Sequence, residues 1–188
     1  MNRVLLSAAV LSLGLWAAGC KNDNKDTEPA GHHKMADKNM EMASASIEPT
    51  KGNTAKGKVS FTQVGDKVRV SATISGLKPN AEHAFHVHEK GDCSSGDGMS
   101  AGGHYNPASK PHGSMGKGEH HAGDMPNLMS DSYGIAEARF EVPGVSIGGG
   151  AADIVGKGLI VHRDPDDYKS QPAGNAGPRL ACAVIQRG

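Results

Sequence analysis

The residues with the most chemistry in this chain are histidines. His86 and His88 stand one residue apart in Phe85-His86-Val87-His88, which runs on to Cys93. The aromatic and β-branched context is that of a strand, on which alternate side chains share a face. His86 and His88 therefore point one way, and Phe85 and Val87 point the other way, into a core. Two adjacent imidazoles on a rigid strand make half of a metal site, and nitrogen ligands suit copper or zinc. An HxH pair alone is a weak signal. It becomes specific because single histidines recur downstream, framed by turn residues: Gly103-His104-Tyr105-Asn106-Pro107, Pro111-His112-Gly113, His121-Ala122-Gly123-Asp124 and Val161-His162.

Strands have to hold these histidines, and loops have to return them to one place. Residues 59–64 alternate at period two, Gly65-Asp66 turns, and residues 68–74 return. A turn at 76–80 leads into the histidine-bearing strand. Residues 135–142 alternate again, and 159–162 and 180–185 are the last two strands, around a second long loop. Between 89 and 126 there is almost no apolar periodicity. A stretch that long belongs in a domain only where it is functional and tied down, as metals and a disulfide would do. Short strands with two large insertions predict an all-β sandwich or barrel. Composition agrees: 26 Gly and 4% aromatic residues in a chain of 188 describe one turn-rich domain with a modest core, plus appendages. Basic and acidic residues balance at 20 each, which disfavours nucleic acid as a partner.

Residues 1–19 read as a targeting segment. Arg3 supplies the positive start, residues 4–16 the apolar run, and Ala17-Ala18-Gly19 the small residues before Cys20. The run is too short to span a bilayer. It resembles a bacterial lipoprotein signal, which implies cleavage before Cys20, a lipid on its thiol and a membrane anchor on the periplasmic side of the cell envelope. Lys21 in place of Asp implies the outer membrane in a Gram-negative cell. Ala17 departs from the more frequent Leu, and soluble periplasmic secretion is the alternative. Residues 20–53 are polar and poor in β-branched and aromatic side chains, so they cannot bury enough surface to offset ordering entropy. They read as a flexible tether, with the folded domain at 54–188. His32, His33, Met35, Met40 and Met42 in that tether are either copper-capturing ligands or ordinary linker residues. Met99, Met115, Met125 and Met129 in the first long loop are either further soft ligands or gap fillers. With Cys20 lipidated, Cys93 and Cys182 remain for a disulfide in an oxidising compartment.

The motifs FHVHEKGDC, AGGHYNP, HHAGDMPN, VHRDPDD and GNAGPRLACAVI, in that order from about Thr54 to the C-terminus, resemble the copper,zinc superoxide dismutases. The short spacing from His88 to Cys93 and the run SQPAGNAGPRLAC resemble the bacterial branch. The resemblance implies a flattened eight-stranded Greek-key barrel with two long functional loops. It implies dismutation of superoxide to oxygen and hydrogen peroxide with one copper and one zinc per subunit. Copper would lie on His86, His88, His104 and His162, and zinc on His104, His112, His121 and Asp124, with His104 bridging. Asp166 would be the carboxylate that links His86 to His112, and Arg179 the cation that draws anions to copper. His83 would brace the loops, and the HxxD spacing to Asp124 selects His121 over His120. Ala84 and Ala173 stand where many relatives have Gly and Thr, and Ala173 would widen the channel. The partners implied are superoxide, a membrane through Cys20, and no nucleic acid; relatives occur both as monomers and as homodimers. A non-enzymatic copper- or zinc-buffering lipoprotein would need the ligands but neither Arg179 nor a shared histidine. A structural or adhesive sandwich would need no ligands.

Overall fold

Alternation of small or branched apolar residues with polar ones builds most of this fold. The computed structural model describes residues 40–188. In chain order its strands are β1 (Met42–Pro49), β2 (Lys56–Val64), β3 (Lys67–Ser75), β4 (Glu82–His83), β5 (Phe85–His88), β6 (Leu128–Met129), β7 (Ala136–Pro143), β8 (Gly158–His162), β9 (Arg179–Val184) and β10 (Gln186–Arg187). Every ladder is antiparallel. The main sheet runs β5-β8-β9-β1-β2-β3-β7, β10 pairs with the start of β1, and β4 pairs with β6. Ala84 alone separates β4 from β5, and Ile185 alone separates β9 from β10, so these are four halves of two segments and the barrel counts eight strands. A bridge from Ser130 to Ala136 joins the end of β6 to β7 and curls the sheet closed. The neighbours β9-β1, β5-β8 and β3-β7 are the long returns of a Greek key.

One expectation needs correcting. The tether read over residues 20–53 extends too far, because residues 42–49 form β1 in the middle of the sheet. Ala43, Ala45 and Ile47 are buried and alternate with exposed Met42, Ser44 and Ser46. Two alanines and one isoleucine carry little hydrophobic signal, so the alternation is faint in the sequence. Long-range pairing holds the strand instead, with Ala43 opposite Phe61, Ala45 opposite Val59 and Pro49 opposite Ala181. The Gln63 N–H donates to the Glu41 carbonyl at 2.9 Å, and Glu41 pairs with Arg187, so the domain has begun by Glu41 and not at Thr54. Residues 1–39, with the signal segment, Cys20, His32, His33 and Met35, lie outside the described residues.

The core is filled by Ile47, Phe61, Ile74, Phe85, Leu128, Leu159 and Ile185, all fully buried. Along β5, Phe85 and Val87 face this core, while His86 and His88 face the loops. Strand β8 repeats the division: Leu159 and Val161 join the core, and Ile160 joins a small second cluster with Ala101 and Cys182. The Cys93–Cys182 disulfide lies in that cluster and fastens the first long loop to β9. A register shift between Val161 and His162 passes over Leu180 and sets His162 opposite Arg179. Irregularities of this kind re-aim a side chain.

Candidate metal centre

Two groups of side chains converge where the loops fold back over β5 and β8. His86, His88, His104 and His162 bring one ligand atom each within 4.8 Å of one another, and so do His104, His112, His121 and Asp124. Either group could hold a metal ion. His104 belongs to both. Its ring lies 4.0 Å from that of His86 and 5.3 Å from that of His112, centroid to centroid. Short bridges anchor the first long loop beside β5, from His88 to His104 and from His86 to Asp124.

Hydrogen bonds decide which nitrogen of each ring is free. A carbonyl can only accept, so His88 Nδ1 donates to Gly102 at 2.9 Å and His162 Nδ1 donates to Gly177 at 3.2 Å. Their Nε2 atoms are then bare and face each other at 3.4 Å. Two lone pairs so placed repel unless a cation sits between them. His86 Nε2 donates to Asp166 Oδ2 at 2.8 Å, leaving its Nδ1 buried with no partner among the described residues. His104 Nδ1 meets Asp124 Oδ1 at 2.8 Å, and its buried Nε2 also lacks a partner. Unpaired nitrogens in a dry interior are costly, and a metal ion removes the cost. The four-nitrogen group opens toward a cleft, which fits a copper ion that reacts. The second group is closed and has three nitrogens and an oxygen, which fits a structural zinc.

Asp124 is the hub of the second group. Its Oδ1 lies 2.8, 3.1 and 3.3 Å from Nδ1 of His104, His112 and His121. Its Oδ2 accepts from the N–H groups of Gly113 and His121 at 3.1 and 2.8 Å. Burial alone would raise this carboxyl, but the hydrogen bonds from His104, His112 and the two backbone amides outweigh it and hold it well below the usual carboxylate range. Asp166 links the groups through Oδ2 to His86 and Oδ1 to His112, at 2.8 and 2.9 Å. It too lies below the usual range, since the His112 and His86 bonds exceed the effect of burial. Desolvation lowers His86 to about 4 and His162 to about 3 despite their hydrogen bonds, and it takes His88 well below its ordinary value. These rings are neutral at neutral pH. His112 goes the other way, to about 9, because Asp124 and Asp166 on its two nitrogens outweigh its burial.

Arg179 is half-buried beside the first group. Its Nη1 donates to the Gly98 carbonyl and its Nη2 to the Gly102 carbonyl, both at 2.6 Å. With His88, His104, His162, Ala173 and Met99 it lines a cavity of about 280 Å³. His83 is buried and donates from Nδ1 to the His162 carbonyl at 2.9 Å, and His120 donates to the His121 carbonyl at 2.7 Å; neither is in a metal group.

Sequence reasoning passed over several supports. The Asn127 side chain accepts from the Asp166 N–H at 2.9 Å and donates to its carbonyl at 3.1 Å. Gln171 clasps the backbone of His112 in the same way, at 2.9 and 2.8 Å. Both amides stand inside or next to the family-like motifs, which was their only signal. Gly174 has φ +63°, and a Cβ there would fall on the Asp166 carboxylate and 2.7 Å from His112 Nε2.

A family model described as copper/zinc superoxide dismutase (SODC) matches residues 55–185. Copper-zinc superoxide dismutase 2 of Aquifex aeolicus is 41% identical over 148 residues, which cover 77% of this chain and 86% of that protein. Copper-zinc superoxide dismutase 1 of the same organism is 43% identical over 134 residues, covering 69% and 79%. A solved structure of a double mutant of a SOD-like protein from Bacillus subtilis has a TM-score of 0.70 at 33% identity, covering 76% of this chain and 96% of that one. Motif order, barrel topology, paired ligand groups and these likenesses agree: the chain belongs to the copper/zinc superoxide dismutase family.

Proposed function

We propose that this chain converts two superoxide anions and two protons to oxygen and hydrogen peroxide, at a copper and a zinc that share His104. The two-sidedness of His104 carries this reading: Nδ1 is committed to the Asp124 group, Nε2 is buried with no partner among the described residues, and the ring also belongs to the group of His86, His88 and His162. His86, His88, His104 and His162 would hold copper, and His104, His112, His121 and Asp124 would hold zinc. Copper held there would supply one-electron redox chemistry, and zinc would supply fixed charge.

The protein's own side chains do the rest. The Arg179 guanidinium, fixed by two carbonyls, attracts the anion into the cleft and needs no reordering when it arrives. His88 and His162 have their outer nitrogens tied to backbone carbonyls, and His86 to Asp166, so they keep their lone pairs aimed inward. His104 Nε2 is the atom at which a proton can be held and delivered to peroxide, because its Nδ1 is engaged on the far side. The test is superoxide decay after pulse radiolysis with protein reconstituted with both metals. Rapid, cyanide-sensitive decay at one copper and one zinc per chain is expected. Stoichiometric metal binding without dismutation would leave only the buffering role.

The N-terminal sequence supports a second part of the reading, an envelope protein held by lipid on Cys20. Membrane fractionation of the wild type and Cys20→Ala tests it. The variant should move to the soluble fraction, and an unmodified Cys20 in membrane-free wild type would refute the anchor.

A further inference from the structure

The first long loop and its edge hold four methionines, and the structure gives them different fates. Met125 is in the core at 1% exposure, and Met115 packs against that core. Met129 is 57% exposed on β6, opposite Glu82, and Met99 is 60% exposed. Among the described residues, Met99 is the one methionine in the wall of the cavity that reaches His88, His104, His162 and Arg179. A thioether so exposed fills no gap. Nor does a neutral thioether help a cleft to attract an anion. Yet its backbone is held firmly. The Met99 N–H donates to Asp97 Oδ1 at 2.9 Å, and the Gly102 N–H donates to the Met99 carbonyl at 3.1 Å. The flanking carbonyls of Gly98 and Gly102 are the two that anchor Arg179.

We propose that Met99 is a docking ligand for incoming copper(I), which binds the ion at the cavity wall and passes it to Nε2 of His88 and His162. The inference rests on the copper reading above. A thioether is a soft, neutral donor that selects copper(I) over harder ions. The guanidinium of Arg179 in the same cavity repels a cation, so the cleft needs a donor whose attraction does not depend on charge. In the wall of the same cavity, two bare nitrogens 3.4 Å apart form a receiving pair. The transfer is a ligand exchange: the copper–sulfur bond breaks as copper–nitrogen bonds form. No electron moves, and the thioether returns unchanged.

Copper(I) transfer from its bicinchoninate complex to metal-free protein, followed by loss of the complex's colour, tests this directly. Met99→Leu should slow transfer severalfold and reach the wild-type end point, while Met129→Leu should match wild type in both. Silver(I), a redox-silent stand-in, should shift the methyl resonance of Met99 in 13C-methyl-methionine protein before any histidine signal moves. Equal transfer rates for wild type and Met99→Leu, or a Met99 methyl signal indifferent to silver(I), would overturn the docking role. A wild type that takes no copper(I) from the complex would instead overturn the copper reading.

Discussion

His88 and Arg179 share one acceptor: both donate to the carbonyl oxygen of Gly102, at 2.9 and 2.6 Å. One peptide thus orients a ring of the four-histidine group and seats the guanidinium that lines the same cavity. Gly102 has φ +75°, and a Cβ there would strike the Glu89 side chain, so the position tolerates little besides glycine. The turn that presents it, Met99–Ala101, buries Ala101 against Ile160 and Cys182. The positions of His88 and Arg179 are therefore coupled through a short loop that the disulfide backs.

Substitutions of Arg179 should separate charge from seating. Arg179→Ala should slow superoxide decay by roughly tenfold or more and flatten its ionic-strength dependence, since the local field is gone. Arg179→Lys should keep much of the salt slope but not the full rate, because an ammonium cannot reproduce the two-pronged contact with Gly98 and Gly102. Pulse radiolysis over a salt series measures both. An Ala variant with the parental rate and slope would remove Arg179 from substrate capture.

Asp166→Asn should loosen both metals. The amide keeps the shape of the carboxylate, but its NH2 cannot accept from an imidazole N–H and its neutral oxygen accepts more weakly than a carboxylate oxygen, so the outer bonds of His86 and His112 are both impaired. Zinc affinity should fall by about 10–100-fold, the usual effect of losing such a support. Chelator competition gives the number. Parental affinity for both metals would reduce Asp166 to a packing residue.

Zinc should compete with a proton on His112. The metal-free folded value of about 9 lies above the ordinary 6.5. Protonation of His112 therefore contributes stability to the metal-free fold fully below pH 6.5, and that contribution is lost as pH rises through 9. Zinc on Nδ1 needs the neutral ring, so binding expels the proton and affinity should rise by up to about tenfold per pH unit across that window. Calorimetry at pH 7.5 in buffers of different ionisation enthalpy should find about one proton released per zinc. Release of none would show that His112 is already neutral.

Reduction of Cys93–Cys182 should destabilise the domain and free the turn that seats Arg179. The bond closes a loop with a sequence separation of 89 residues. In the chain-entropy account that corresponds to roughly 4–5 kcal/mol. Denaturant titration with and without reductant measures the loss, and hydrogen exchange at residues 94–103 reports the loosening. Unchanged exchange there would mean that the Ala101, Ile160 and Cys182 packing holds the turn without the bond.

Much of this molecule was legible as sequence, because the relevant signals are local. Period-two alternation placed β2, β3 and β7, the apolar runs at 159–162 and 180–185 marked β8 and β9, and strand geometry turned His86 and His88 away from the core, since it alone decides which side chains share a face. Motif order alone points to the histidines and to Asp124. Strand β1 was not legible, because Ala43 and Ala45 differ too little from Ser44 and Ser46 until β2 and β9 cover one face. Nor could the sequence say which nitrogen of each ring is bare. That depends on the carbonyls of Gly102 and Gly177, and every residue type carries the same carbonyl, so only chain geometry distinguishes these two. The methionines make the same point. Met99 and Met125 are chemically identical, and their separate fates, one in the cleft wall and one in the core, come from where a loop without periodicity is pinned by distant contacts.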